Sequence, residues 1–478
     1  MSEQTTFILI RGATTIVVDP ANSVLKDCDI LIKDDRIATI GEHIAEPDGN
    51  VTVIDAHNFI AIPGFVDGHH HMWQQLLRAV ATDWTLFDYT VQMRSIYGSI
   101  YSPDDVYLAT YAAALSLLNN GVTSVLEHCH IINSPAHADA AIRALKDAGI
   151  RATFCYGFYP NPPIPELGVD GIHTEGFSHD ARLEDAARVR RQYFGSNDPA
   201  EELATFGIAP DEPEAQSIEK TKSELRESRE VGARLITMHV AMGPYDAAHQ
   251  QVVRQLSDAN LLGSDLVFSH GASFTDSELE AIKSSGAGIV STPDTELGMG
   301  MGFPVAFRAQ DAGCHSCLGI DITSNQGNDF IAQMKLALQA QRALQNEQGA
   351  LPLTITRKTK DVLRMGTLGG AEVLQIDHLV GSLTVGKKAD IVLISRDDLE
   401  SLPVSDPVGS VVFHTSLSHI DTVIVDGRIR KRNGRLLADT AELMSQVTRR
   451  SAEIEALAAT FDLKAARAKW LKIFRGDF

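Results

Sequence analysis

Cysteine is scarce in this chain. Only five occur among 478 residues, an odd and scattered set, so no disulfide framework is expected and free thiols in a reducing compartment fit better. Cys314 and Cys317 form an isolated C-x-x-C with no second pair, which reads as core packing. Basic charge is short too: 42 Lys and Arg face 62 Asp and Glu, a formal charge of −20. An acidic surface repels phosphate backbones and anionic lipid, so neither nucleic acid nor membrane is an expected partner. The longest basic run, Arg428-Ile-Arg-Lys-Arg432, sits in a hairpin-like stretch and reads as a solvated turn. No apolar run is long enough to span a bilayer. The first twenty residues lack the basic start, apolar centre and cleavage site of a secretory leader. A cytoplasmic location is the expectation.

Apolar material is ample, at 44% of residues with 22% charged, which suits a large globular core. Residues 1–60 read as short strands at 6–11, 15–18, 29–33, 36–40 and 52–56, rich in Ile and Val and separated by Gly, Asp and Asn. Residues 376–435 have the same character. The two ends are expected to join into one small β-sandwich, because neither could cover both faces of a sheet alone. The charged segment 436–478 is expected to be helical and to pack outside.

Between them, residues 61–375 change period. Strand-like runs such as IAIPGFVD, TSVLE, RATFCY, TFGIA, RLITMH, LVFSH, GIVS and SCLGID each precede a helical stretch, giving eight β–α pairs. Eight such units point to a closed parallel (β/α)8 barrel, which leaves no edge strands. Chemistry in that fold gathers at the C-terminal strand ends. There the sequence puts Asp67-Gly-His-His-His71 on strand 1, His239 on strand 5, His270 on strand 6 and Asp321 on strand 8.

His69 and His71 are two apart and share one face of an extended strand, while His70 faces away into a structural role. Three imidazoles (His69, His71, His239) and the Asp321 carboxylate suit one divalent ion, zinc or alternatively iron, with room for water. Asp321 is also positioned to take that water's proton, and His270 to orient the water or polarise the substrate. Strand 4 carries no lysine that could bridge a second ion, so one metal per chain is expected.

These residues allow a resemblance to be named. The stretch Pro63-Gly64-Phe65-Val66-Asp67-Gly68-His69-His70-His71 is followed by Gln74 and Leu77-Arg78. His239, His270, Ser291-Thr292-Pro293 and Leu318-Gly319-Ile320-Asp321 follow in order, and Gly381-Ser382-Leu383 with Gly386-Lys387-Lys388-Ala389-Asp390-Ile391 marks the return to the sandwich. The chain resembles the amidohydrolase superfamily, in its branch of cytosine-deaminase-like, guanine-deaminase-like and triazine-hydrolase enzymes. The resemblance implies hydrolytic attack at a carbon of an amide, amidine or aromatic heterocycle, usually with release of ammonia. It carries Gln74 over as a substrate contact and, by analogy, implies a homo-oligomer. Trp73, Trp84, Met242, Met299 and Phe303 are candidates to line an apolar slot for a flat ring. His128 and His130, just past strand 2, are further candidates, of which alternation lets only one face inward.

One departure stands out. Family deaminases carry a glutamate three residues after the strand-5 histidine, and this chain reads His239-Val240-Ala241-Met242. A thioether has no proton to give a departing amine. Asp211, Glu212, Glu214 and Asp246 lie near that end of the barrel as substitutes. The expectation is a metal-dependent hydrolase of a small cyclic or aromatic nitrogen compound, with a deaminase without the usual acid as its leading form. The alternatives are hydrolysis of a ring amide, aryl amide or carbon–halogen bond, and, lower, a non-enzymatic assembly or regulatory homologue.

Overall fold

The computed structural model describes residues 5–21, 23–161, 177–246, 249–349 and 351–475. The first five strands are β1 (Thr6–Ile16), β2 (Val24–Lys33), β3 (Arg36–Gly41), β4 (Asn50–Asp55) and β5 (Phe59–Pro63). The segments 6–11 and 15–18, expected as two strands, are largely one: β1 runs through a bulge around Gly12 and changes parallel partner from β4 to β5 as it does so. That change of partner folds the sheet back on itself.

Eight parallel strands follow in the order of the chain. They are β6 (Phe65–His70), β7 (Val122–Cys129), β8 (Arg151–Gly157), β9 (Ala204–Ala209), β10 (Ile236–Val240), β11 (Leu266–His270), β12 (Gly288–Ser291) and β13 (His315–Leu318). Helices such as Pro103–Asn119, Pro135–Ala148, His179–Tyr193 and Ile218–Val231 separate them. The barrel closes through His70 and Asp321: the Asp321 N–H donates to the His69 carbonyl at 2.9 Å, and the His71 N–H to the Asp321 carbonyl at 2.7 Å. Gly319 permits this approach, since a Cβ there would stand 2.9 Å from the His69 oxygen.

The run IAIPGFVD, expected as one barrel strand, is divided. Ile60 to Pro63 pair antiparallel with β14 (Ile391–Ser395), and only Phe65 onward enters the barrel. β14 continues through β15 (Ile420–Val425), β16 (Arg428–Arg432) and β17 (Arg435–Leu436). Strands from both ends of the chain thus share one nine-stranded mixed sheet, folded as a small sandwich. Its interior is almost wholly aliphatic, with Ile8, Ile10, Ile30, Ile32, Ile54, Ile391, Leu393 and Ile424 buried. Arg151 at the start of β8 ties barrel to sandwich through paired bonds to Asp390, at 3.0 and 3.1 Å, and one to Asp426 at 3.0 Å.

Inside the barrel, Val66, Leu126, Cys155, Val267, Val290 and Cys317 pack with Val373 and Leu374 as an apolar floor. Two residues beyond that floor on the same strand faces come His128 and Ser269, in keeping with the period of two. All five cysteines are buried and free. Among the described residues no helix is long and apolar enough to cross a membrane.

Candidate metal centre and active site

Four ligand atoms from three separate parts of the barrel converge. His239 Nε2 lies 3.3 Å from His69 Nε2 and 3.3 Å from His71 Nε2. Asp321 Oδ1 lies 3.3 Å from His69 Nε2 and 3.4 Å from His71 Nε2. His71 donates from Nδ1 to the His128 carbonyl at 2.7 Å, and His239 donates from Nδ1 to the Glu212 carboxylate at 3.0 and 3.2 Å. Those partners fix the tautomers, so both rings turn bare Nε2 lone pairs toward each other. Two facing lone pairs at that distance repel unless a cation lies between them. Neighbouring ligands at roughly 2.0–2.1 Å from one zinc stand roughly 3.3–3.4 Å apart, as these four pairs do, so the cluster suits one divalent ion.

Burial reinforces this state. It drives the His69 imidazole down to about 4 and that of His71 well below its ordinary value, so both rings are neutral and free to offer a lone pair. Burial opposes the charge of Asp321, but His69, His270 and His71 outweigh it and hold the carboxyl far below the usual range. His70 turns away and bonds Asn328 Oδ1 through Nε2 at 2.9 Å.

His270 lies beside the cluster, its ring stacked on His239 with centroids 5.3 Å apart. Its Nδ1 is 3.0 Å from Thr292 Oγ1 and 3.7 Å from Glu296 Oε1. Burial lowers its affinity for a proton, yet Glu296 and Asp321 raise it above the ordinary histidine value. His270 and Asp321 both adopt left-handed backbone, with φ of 76° and 74°. Each such non-glycine residue costs on the order of 1–3 kcal/mol, a strain that clusters at functional sites.

The remaining candidates are placed unevenly. His128 stacks on His239 at 4.3 Å, with Nε2 2.9 Å from Tyr159 Oη. His130 stacks on His71 at 4.0 Å. Both therefore reach the cluster, against the expectation that only one would. The reason is that β7 ends at Cys129, so His130 lies beyond the strand and is freed from its alternation. Gln74 is fully buried, donating to Tyr89 Oη at 2.6 Å and accepting from Ser324 Oγ at 2.6 Å. Trp73 is in the core and donates to His130 Nδ1 at 3.1 Å, so it supports that ring from behind. Met299 is buried, Trp84 and Met242 are half-buried, and Phe303 is 48% exposed. The glycine-rich run 298–302 folds back on its preceding helical turn, with the Met301 and Gly302 N–H groups on the Glu296 carbonyl.

Of the four substitute acids, Glu212 is engaged by His239 and by Arg94, whose Nη1 is 3.4 Å away. Burial opposes its charge, but His239 and Arg94 beside it hold the carboxyl below its ordinary value. Glu214 accepts the Ala241 N–H, and burial with the nearby Asp246 pushes it up to about 8. Asp211 receives the Glu212 N–H and Asp246 the Gln250 N–H. Sequence reasoning missed Arg94, Tyr89, Ser269 and Glu296. Glu296 alone had a nearby signal, since it stands three residues past Ser291-Thr292-Pro293.

The solved structures similar to this chain share its fold. An adenosine deaminase from Xanthomonas campestris with bound zinc superposes with a TM-score of 0.81 at 22% identity, over 94% of this chain and 98% of that one. The atrazine chlorohydrolase of Arthrobacter aurescens TC1 complexed with zinc gives 0.77 at 23%, over 93% and 100%. Among sequences, a 5-methylthioadenosine/S-adenosylhomocysteine deaminase of Thermococcus kodakarensis is 28% identical over 88% of this chain and 93% of its own. A 5'-deoxyadenosine deaminase of Methanosarcina barkeri is 24% identical over 93% and 98%. The model of the amidohydrolase family matches residues 60–430, most of the chain, and this protein belongs to that family.

Proposed function

We propose that this protein is a metal-dependent hydrolase that directs water onto a carbon–nitrogen centre of a small heterocyclic or amide compound. In this reading His69, His71, His239 and Asp321 hold one divalent ion, zinc first. The observation that carries it is that His239 Nε2 and Asp321 Oδ1 each lie 3.3–3.4 Å from Nε2 of both His69 and His71. Bound there, the ion would supply the Lewis acidity that makes water nucleophilic near neutral pH.

The chain's own groups divide the remaining work. Asp321, ionised and with an oxygen in the cluster, takes the proton released by the attacking water. His270 is held by Thr292 through Nδ1, which leaves Nε2 to bond the water or the substrate atom that becomes tetrahedral. Glu212 and the His128 carbonyl keep the His239 and His71 rings aimed. Relatives named as deaminases of adenosine-type compounds support a nitrogen leaving group. Met242 supports a second reading, in which the leaving group is a halide or a stabilised anion that needs no acid. A small molecule is the partner, and family analogy adds further copies of the chain.

The test is a panel of amino- and halo-substituted heterocycles and amides, assayed with zinc for ammonia and for halide. Turnover that disappears on chelation and returns with zinc is expected. Zinc-loaded protein that hydrolyses no member of such a panel would overturn the reading.

A further inference from the structure

Glu296 is fully buried, on the turn after β12 and beside His270. One carboxylate oxygen is fixed: Oε1 accepts the Thr292 N–H at 2.7 Å and lies 3.5 Å from Thr292 Oγ1. The same Thr292 hydroxyl holds His270, so the carboxylate is latched to the group beside the histidine–aspartate cluster. The other oxygen, Oε2, is buried with no hydrogen-bond partner among the described residues. An unpaired buried carboxylate oxygen is costly, more so than a neutral one, and native proteins rarely tolerate it without a reason.

Glu127 and Asp67 are buried acids that also have an orphan oxygen, but their settings differ. Glu127 lies between Leu126 and His128, which point into the barrel, and it spends Oε2 on the Met72 N–H at 2.8 Å. Asp67 caps two backbone N–H groups, of Ile320 and His69, where the barrel closes. Glu296 alone among these three stands past a strand end, in the helical turn Pro293–Gly298, with Oε1 3.7 Å from His270 Nδ1. Next to it, Gln326 donates to Thr295 Oγ1 at 2.9 Å and keeps its own Oε1 unpartnered and buried. Two buried acceptors, Glu296 Oε2 and Gln326 Oε1, thus lie without a donor here among the described residues.

We propose that Glu296 reads the substrate, Oε2 accepting an N–H from a ring amino or amidine edge beside the reacting carbon. The inference rests on the hydrolase reading above and names its substrate class: nitrogen heterocycles or amidines that carry an N–H donor next to the site of attack. A site built to bond such a donor rejects the analogue without it far more strongly than an apolar pocket rejects a lost methylene.

The experiment reads binding. Zinc-loaded wild type is titrated by ligand-observed NMR with 2-aminopyrimidine and with its N,N-dimethyl analogue, which carries no N–H. Wild type is expected to prefer the N–H probe by about tenfold or more, in line with a hydrogen bond to a charged group. In Glu296→Gln, Thr292 holds the amide oxygen and the NH2 group takes the place of Oε2, a donor where an acceptor stood. That variant is expected to lose the preference while keeping its zinc. Glu296→Asp, with the carboxylate drawn back by one methylene, should keep a weakened preference of the same sign. Equal binding of both probes by wild type would overturn the proposal and assign Oε2 to ordered water. A preference that survives unchanged in Glu296→Gln would overturn it as well. Failure of the hydrolase reading is separate, because it appears as no turnover on any compound whichever probe binds.

Discussion

Glu212 Oε1 stands 3.0 Å from Nδ1 of His239, and the same oxygen lies 3.4 Å from Arg94 Nη1. A carboxylate behind a ligating histidine fixes the ring's tautomer and orientation and makes Nε2 a better donor to a metal. Glu212, which the sequence offered as a spare proton donor, is better understood as this orienting group.

Metal retention should follow. His69→Ala and His239→Ala are expected to lose most of the ion on dialysis. Glu212→Gln should keep it but bind roughly 10- to 100-fold more weakly. Elemental analysis and competition with a chelator measure both. Close to one zinc per wild-type chain is expected, and two firmly held ions would defeat the single-metal assignment.

Asp321→Asn should fold, retain weakened metal and lose nearly all turnover, because the amide cannot take the proton of water. His270→Ala should lower turnover by about 10²- to 10³-fold, the usual loss for one stabilising group at a reacting atom. Steady-state rates at saturating zinc check both. Near-wild-type turnover in Asp321→Asn would sink its assignment as proton acceptor.

Met242 starts the turn that follows β10, half-buried and without a proton to offer. Met242→Glu is expected to raise ammonia release relative to halide release on matched amino- and halo-heterocycles. Efficient deamination by the wild type, unchanged when Asp211, Glu212, Glu214 and Asp246 are each removed, would refute this account of the missing acid.

Glu127 gives a pH dependence with a definite sign. Burial raises its pKa from 4.5 to about 8, so between those values the folded state holds a proton that the unfolded state has released. Stability from this group is full below the unfolded pKa and falls as pH rises toward 8, by up to about 1.4 kcal/mol per pH unit. Glu127→Gln, which can still accept the Met72 N–H, should remove that slope. Thermal melts at pH 5 and pH 8 on both proteins measure it. Equal slopes would show that Glu127 is ionised in the fold.

Much of this was legible in order along the chain. The strand runs and the intervening helices carry their own periods, and the polar residues at the strand ends follow from counting. The limits of that counting are equally local. His130 escaped because alternation was extended one residue past Cys129, where the strand stops. Ile60 to Pro63 read as barrel because an apolar run carries no mark of which neighbour it will pair with, and β14, far along the chain, decides that.

The barrel, the joining of its two ends and the set of histidines and aspartate that meet at its mouth follow from the amino-acid pattern alone. Those are consequences of hydrophobic period and of position along a strand, both local properties. Which acid serves which ring was settled only in three dimensions. Glu212 and His239 are 27 residues apart, on the loop after β9 and at the end of β10. Glu296 reaches His270 only because the turn after β12 folds over β11. Barrel closure brings successive strand ends side by side, and loops without a period of their own then take up the polar groups that those ends leave unsatisfied.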